Sequence, residues 1–313
     1  MRSLNIIIPE RMKGDRLDVS LASMMPNYSR SKISSLIKSG DALIHGQKFK
    51  PKDKSNGDEF ICLTIKEIQR NQWVGERIPL DIIFEDEDVI VINKPFGLVT
   101  HPGAGNWNGT LANALLHYNS DLSMLDRAGI VHRLDKNTSG LMVVAKNLKS
   151  QKYLAEQLQT HSVEREYSAI VYGHMISGGT VNEPIGRDPK ERVKQSVRAN
   201  GKSAITHYRV IDRFAHHTHV KAILETGRTH QIRVHLSYIG YPLVGDPLYG
   251  GRVRFPKKAG NEIKKALRAF HRQALHSKKL TLKHPTTGTS MTWRIELPED
   301  MMGLIDALNS FDS

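Results

Sequence analysis

Three side chains able to do polar chemistry fall in four positions of the run Gly129–Lys146: His132, Arg133 and Asp135. A turn signal, Lys136 to Gly140, follows them, and then the apolar run Leu141 to Ala145. A short apolar run bounded by glycine and polar residues reads as a buried strand. An imidazole, a guanidinium and a carboxylate are thus held where the chain enters a rigid element. On local grounds an aspartate turning the chain with Asn137 and Thr138 explains the same residues. A hydrolase built from Ser139, His132 and Asp135 does not fit. All three lie within eight residues, no G-x-S-x-G is present, and one turn cannot aim them at a common atom. A metal nuclease using His132, His230 and His235 lacks ligand spacing, because His230 and His235 stand about 140° apart around a helix.

Two further stretches bear on that turn. Arg165 to Gly173 predicts a strand with Tyr167, Ala169 and Val171 on one face, so the tyrosine hydroxyl points inward or into a cleft. Val220 to Glu225 predicts another strand, which runs into Thr226–Ser237. There Thr229 is placed to cap a helix carrying Ile232, Leu236 and Ile239. Arg228 then precedes a helix N-terminus, where the dipole disfavours a cation, so a carboxylate partner is expected for it unless it is simply solvated.

The 313 residues leave room for one large domain or two unequal ones. A formal charge of +13 favours a polyanionic partner. An anionic membrane surface is the rival, but no basic amphipathic helix with an aromatic or leucine face is present. No run approaches the roughly 18 apolar residues of a membrane span. The N-terminus lacks an h-region and a cleavage site, so no signal peptide is expected and cytoplasm is the default. The single cysteine, Cys62, can form neither an internal disulfide nor a thiolate zinc site, and its neighbours read as core. No G-x-G-x-x-G or G-x-x-x-x-G-K-[ST] motif is present.

Residues 1–70 read as a separate module, 71–79 as a linker, and 80–313 as the main domain. In the first, Val19 to Met25 is helical and ends at Pro26. Ser29 to Gly40 is a second helix, with Ser29 or Ser31 as cap and Ile33, Leu36 and Ile37 as its apolar stripe. Ala42–His45 and Phe60–Ile65 are strands. In the main domain, Leu80 to Gly97 is a hairpin around the acidic turn Glu85–Asp88. Thr110–His117 and Leu148–Gln159 are helices, Gly245–Gly251 is a tight turn, Gln273–Leu282 and Thr289–Leu297 are closing strands, and Met301–Phe311 is a last helix.

At Gly14-Asp-Arg-Leu-Asp18, Ser29 to Gly40 and Ala42-Leu-Ile-His-Gly46 the module resembles an S4 RNA-binding domain, with Ala42 departing from the usual larger residue. The resemblance implies that Arg30, Lys32 and the lysine-rich hairpin loop grip RNA phosphates, which positions rather than reads sequence.

The main domain resembles the RluA/RluD family of pseudouridine synthases, its RluD branch most closely. Three blocks carry the resemblance: Asn93-Lys-Pro-Phe-Gly-Leu98, His132 to Gly140, and Gly227-Arg-Thr-His-Gln-Ile-Arg-Val-His235. The implied fold is α+β, a bent, mixed, mostly antiparallel sheet with flanking helices and a central cleft. The implied activity is isomerisation of uridine to pseudouridine in large-subunit ribosomal RNA. Asp135 would be the nucleophile and Arg228 its ion-pair partner. Tyr167 would stack on the uracil or move a proton, and Arg133 would enter the RNA stack. His132 and Lys94, within the matched blocks, join the expected substrate contacts. The resemblance implies no metal and no cofactor, and the expected state is a monomer whose partner is ribosomal RNA. A non-catalytic RNA-binding protein would account for the charge but not for Asp135, Tyr167 and Arg228.

Overall fold

The computed structural model describes residues 2–25, 28, 30–65, 73–103, 105–255 and 259–312. The chain divides into two compact units, residues 1–72 and 73–313.

The first unit comprises β1 (Arg2–Ile8), α1 (Leu17–Met24), α2 (Arg30–Ser39), β2 (Ala42–Ile44) and β3 (Glu59–Ile65). Its sheet runs β1-β3-β2 and is antiparallel throughout. Ile33, Leu36 and Ile37 of α2 are buried with Leu17 and Leu21 of α1 against Ile61 and Leu63 of β3. The 3.6-residue period thus seats the stripe on the sheet. β1 lies over what the sequence presents only as a short apolar patch. The caps expected from Ser29 or Ser31 lie outside the described residues, as does the side chain of Lys32. Cys62 is half-buried rather than core. Its β3 neighbours Ile61 and Leu63 face the helices, and strand alternation turns Cys62 the other way.

The second unit holds β4 (Ile82–Glu85), β5 (Val89–Lys94), α3 (Leu111–Tyr118), β6 (Ser139–Ala145), α4 (Leu148–Gln159), β7 (Glu164–Tyr172), β8 (Gly179–Asn182), β9 (Ile185–Arg187) and β10 (Gln195–Val197). It continues with β11 (Ile205–Arg213), β12 (His217–Leu224), α5 (Gln231–Tyr238), α6 (Asn261–Ala269), β13 (Leu275–Lys283), β14 (Ser290–Arg294) and α7 (Glu299–Asp312). One sheet is ordered β4-β5-β6-β13-β7-β12-β11-β8, with β14 also on β13. Every pairing in it is antiparallel except β13 with β6, a short parallel seam at His276–Ser139 and Ser277–Gly140. Gly140 is required there, because a Cβ on it would lie 2.3 Å from the Ser277 carbonyl oxygen.

Residues 73–79, which read as linker, pack on this second unit. Trp73 and Ile78 lie against its core, and the Asn113 side chain of α3 donates to the Val74 carbonyl at 2.8 Å. Thr110 caps α3 in a reciprocal box with Asn113. Tyr167, Ala169 and Val171 share one buried face of β7, while Ile170 and Tyr172 pack on the other with α6 and α7.

Candidate active site

Asp135 stands in the turn that leads into β6, and the turn is fastened residue by residue. Thr100 Oγ1 donates to the Leu134 carbonyl at 2.7 Å, and Thr138 N to the Asp135 carbonyl at 3.0 Å. Lys94 Nζ and Gly97 N both donate to the Lys136 carbonyl. Gln273 Nε2 reaches Thr138 Oγ1 at 3.0 Å, and Ser139 Oγ pairs with His276 Nδ1 at 2.9 Å. The buried strand beyond is apolar and close-packed, so the carboxylate sits on a rigid mount.

The carboxylate partner is Arg233, not Arg228. Arg233 Nη1 donates to Asp135 Oδ2 at 2.9 Å. Its Nε and Nη2 hold Asp246 Oδ2 and Oδ1 at 2.7 and 2.9 Å, and its plane lies over the Tyr249 ring. Asp246 is itself fixed, accepting from Leu248 N and Tyr249 N in the tight turn after Gly245. Burial disfavours the charged guanidinium, but the two carboxylates outweigh it and hold Arg233 firmly protonated. Arg228 instead donates Nε to the Ser203 carbonyl at 2.9 Å. The reason is where α5 begins. Its N-cap is His230, in the left-handed region at φ 58°, rather than Thr229. That places Arg233 in the first turn of the helix facing Asp135 and leaves Arg228 on the preceding loop. The loop is closed by Gln231, whose Oε1 accepts from Arg228 N and Thr226 Oγ1.

Asp135 Oδ1 accepts no hydrogen bond among the described residues, and the carboxylate lines a cavity of about 520 Å³. The wall carries Arg127, Arg133, Arg165, Arg228 and Arg233, with Asp135 its sole carboxylate among the described residues. Five guanidiniums around one carboxylate make a cavity for a polyanion. Tyr167 lines it too. Burial pushes its hydroxyl above the usual range; Arg165 opposes this and the nearby Asp135 charge adds to it. Tyr167 is therefore a proton donor or packing surface at neutral pH rather than a base. His230 Nε2 stands 3.9 Å from Asp135 Oδ2, and its Nδ1 meets the Tyr249 hydroxyl at 2.9 Å.

The remaining expected contacts divide. Arg133 is exposed at the cavity. His132 lines it as well, but its Nε2 accepts from Val143 N at 3.0 Å. Burial, assisted by Arg165, lowers its pKa to about 3, so the ring is neutral and its Nδ1 carries the proton. Lys94 is no substrate contact. It is fully buried and donates to the carbonyls of Pro95, Leu98 and Lys136, fastening two loops to each other. Burial lowers its pKa to about 7, against the pull of Asp135, while three carbonyl acceptors match the three donors of the ammonium form. In the first unit Arg30 is not a free cation, because it pairs with Asp18 at 3.0 Å. Arg165, Arg233 and Asp246 are the residues that sequence reasoning missed. Arg233 shares its motif with Arg228, and only the helix start decides between them. Among the described residues no group of His, Cys, Asp or Glu is arranged to hold a metal ion, and no helix is long and apolar enough to cross a membrane.

A family model described as RNA pseudouridylate synthase matches residues 88–238, which contain Asp135, Tyr167 and Arg233. The chain is 51% identical over 308 residues to ribosomal large subunit pseudouridine synthase D of Salmonella typhimurium, covering 98% of this chain and 94% of the relative. It is 49% identical over 301 residues to the protein of that name from Pseudomonas aeruginosa, covering 96% and 94%. Among solved structures, human RNA pseudouridylate synthase domain containing 4 superposes with a TM-score of 0.56 at 28% identity, over 73% of this chain and 93% of that one. On identity of this extent over nearly its whole length, the chain belongs to the RNA pseudouridylate synthase family.

Proposed function

We propose that this protein converts uridines of large-subunit ribosomal RNA to pseudouridine, with Asp135 as nucleophile. The observation that carries the reading is a carboxylate with one oxygen held by Arg233 and the other facing a cavity lined by arginines. One bound oxygen keeps the group oriented, and the free one is left to react. Attack at the sugar's anomeric carbon breaks the glycosidic bond, and the bonding pair leaves with the uracil. The base turns and rejoins through carbon as the carboxylate leaves, and the proton on that carbon is removed while the ring nitrogen that had held the sugar gains one, so the product is an isomer. The reacting carbon is inaccessible inside a helix, so the nucleotide must swing out, at a cost of a few kcal/mol. Arg133, exposed at the mouth, is placed to hold it out. The ribosomal substrate follows the names of the relatives that match over nearly the full chain.

The first unit serves as an S4-like module that grips the RNA backbone. Support comes from four exposed lysines, Lys48, Lys50, Lys52 and Lys54, on the segment that joins β2 to β3. Mapping pseudouridines in ribosomal RNA from cells with and without the gene tests the reading. Loss of one or more large-subunit sites, restored by the wild-type gene, is expected, and an unchanged map would refute it.

A further inference from the structure

The cavity mouth contains a backbone feature that the reaction above does not use. Arg127 and Ala128 both lie in the left-handed region, at φ/ψ of 54°/34° and 53°/38°, and Gly129 follows at φ 78°. Three such residues in succession are rare, because a Cβ clashes with the following carbonyl in this conformation. The surroundings enforce it. Ala128 is fully buried in the core, and Ile130 forms a bridge with Val144 of β6. A Cβ on Gly129 would fall 2.0 Å from the Ala145 carbonyl oxygen. Gln151 of α4 donates to the Asp126 carbonyl at 2.7 Å. Backbone strain held in place this firmly is characteristic of sites that must present a side chain.

The side chain presented is Arg127, which lines the cavity with Arg133 and His101. Neither guanidinium has a hydrogen bond or ion pair among the described residues. The Nδ1 of His101 is buried without a hydrogen-bond partner. The one carboxylate in the wall is already held by Arg233. Two guanidiniums and a ring nitrogen line one wall here, and among the described residues no further carboxylate is there to satisfy them. Both arginines act electrostatically on His101, which places the three groups in one neighbourhood. Forked guanidiniums match the oxygens of a phosphate.

We propose that Arg127, Arg133 and His101 form a preset site for one phosphodiester flanking the target uridine, and that the left-handed turn exists to aim Arg127 into it. The inference rests on the reading of the cavity as an RNA site, and it separates this phosphate from the chemistry at Asp135.

The test uses the full chain with Arg127→Gly and Arg127→Gln, and an RNA stem-loop carrying the target uridine. The same RNA is made with a methylphosphonate at the phosphate 5′ or 3′ of that uridine. Arg127→Gly relieves the strained backbone, so its melting temperature rises by about 2–4 °C, whereas loss of a structural arginine would lower it. Its kcat/KM falls about tenfold, mainly through KM. In the wild type one of the two methylphosphonates weakens binding about tenfold, which identifies the flank, and in Arg127→Gln that substitution costs nothing further. A lower melting temperature for Arg127→Gly, or a methylphosphonate penalty equal in the variant and the wild type, overturns the proposal. Binding is measured by anisotropy without turnover. A wild type that binds but never isomerises would sink the reading of the enzyme, while the phosphate site is still judged by the binding comparison.

Discussion

In the second unit one arginine serves two carboxylates, and in the first unit two arginines serve one carboxylate. Arg233 has a side chain 4% exposed between Asp135 at 15% and the fully buried Asp246. Asp18, at 5%, sits between Arg16 and Arg30, which are 49% and 53% exposed. The charge pattern is inverted and so is the burial of the cations. In the second unit the guanidinium is consumed inside the protein and fixes the Asp135 carboxylate in one orientation. In the first, the buried acid organises two arginines whose outer faces stay in water, where their pairing contributes little to stability. A buried cation is fixed on every side, and exposed ones keep an open face to solvent even when paired.

The comparison can be broken most directly at the carboxylate. Asp135→Asn should reduce turnover on the order of 10³-fold or more while RNA binding persists. Single-turnover kinetics near wild type would remove the catalytic half of the contrast. Next comes the choice between two arginines five positions apart. Arg233→Met leaves Asp246 buried and unpaired, so urea unfolding should show a loss of about 3–5 kcal/mol. Arg228→Met, which gives up one bond to a carbonyl, should cost about 0.5–1.5 kcal/mol. Equal losses would mean that the pairing with Asp135 and Asp246 carries no special weight.

The buried unit also has a pH signature. Burial and, secondarily, Arg272 lower His276 to about 4, and burial with Arg165 lowers His132 to about 3. These folded-state values lie below the unfolded value near 6.5, so the unfolded chain takes up more protons as pH falls. Stability is therefore full above pH 6.5 and is lost as pH drops toward 4, by on the order of 2–3 kcal/mol for His276. Melting curves between pH 7.5 and 4.5 should show the decline, and His276→Gln should flatten it. An identical slope in that variant would assign the effect elsewhere. The smallest effect belongs to the first unit. Replacing Lys48, Lys50, Lys52 and Lys54 with Gln should reduce the salt slope of RNA binding by about 3, at roughly 0.7 per phosphate contact. The turnover rate at saturation should stay unchanged, and an unaltered slope would count against the RNA-gripping role.

Much of the scaffold was legible because it rests on local patterns. Leu141–Ala145 became β6, the acidic turn between Ile82–Glu85 and Val89–Lys94 closed the hairpin, and Leu148–Gln159 formed α4. Asp135 could be placed at the entry to a buried strand from its own neighbours, but those neighbours also fit a plain turn, and the family resemblance was needed to choose between the two readings. What escaped depends on contacts distant in the chain. Arg228 precedes a helix N-terminus and so reads as needing an acid, yet a backbone carbonyl satisfies it, and the left-handed His230 delivers Arg233 to Asp135 across 98 positions. Lys94 reads as a basic contact because nothing local announces that three carbonyls surround it. The interval between Tyr172 and His217 carries the short strands β8 to β10 and the longer, partly exposed β11, whose patterns are too weak to read alone.

The parallel seam between β13 and β6 has a consequence for how the protein is made. Ser139 and His276, bonded across it, are 137 positions apart. The strand that separates β6 from β7 is therefore synthesised long after both of them. Until it arrives, both neighbours keep open inner edges, and the clamps from Gln273 and Arg272 onto the Asp135 turn do not exist. A nascent chain that has not yet yielded β13 has no closed sheet beneath the Asp135 turn. Competence comes late, when the sheet is closed from its middle.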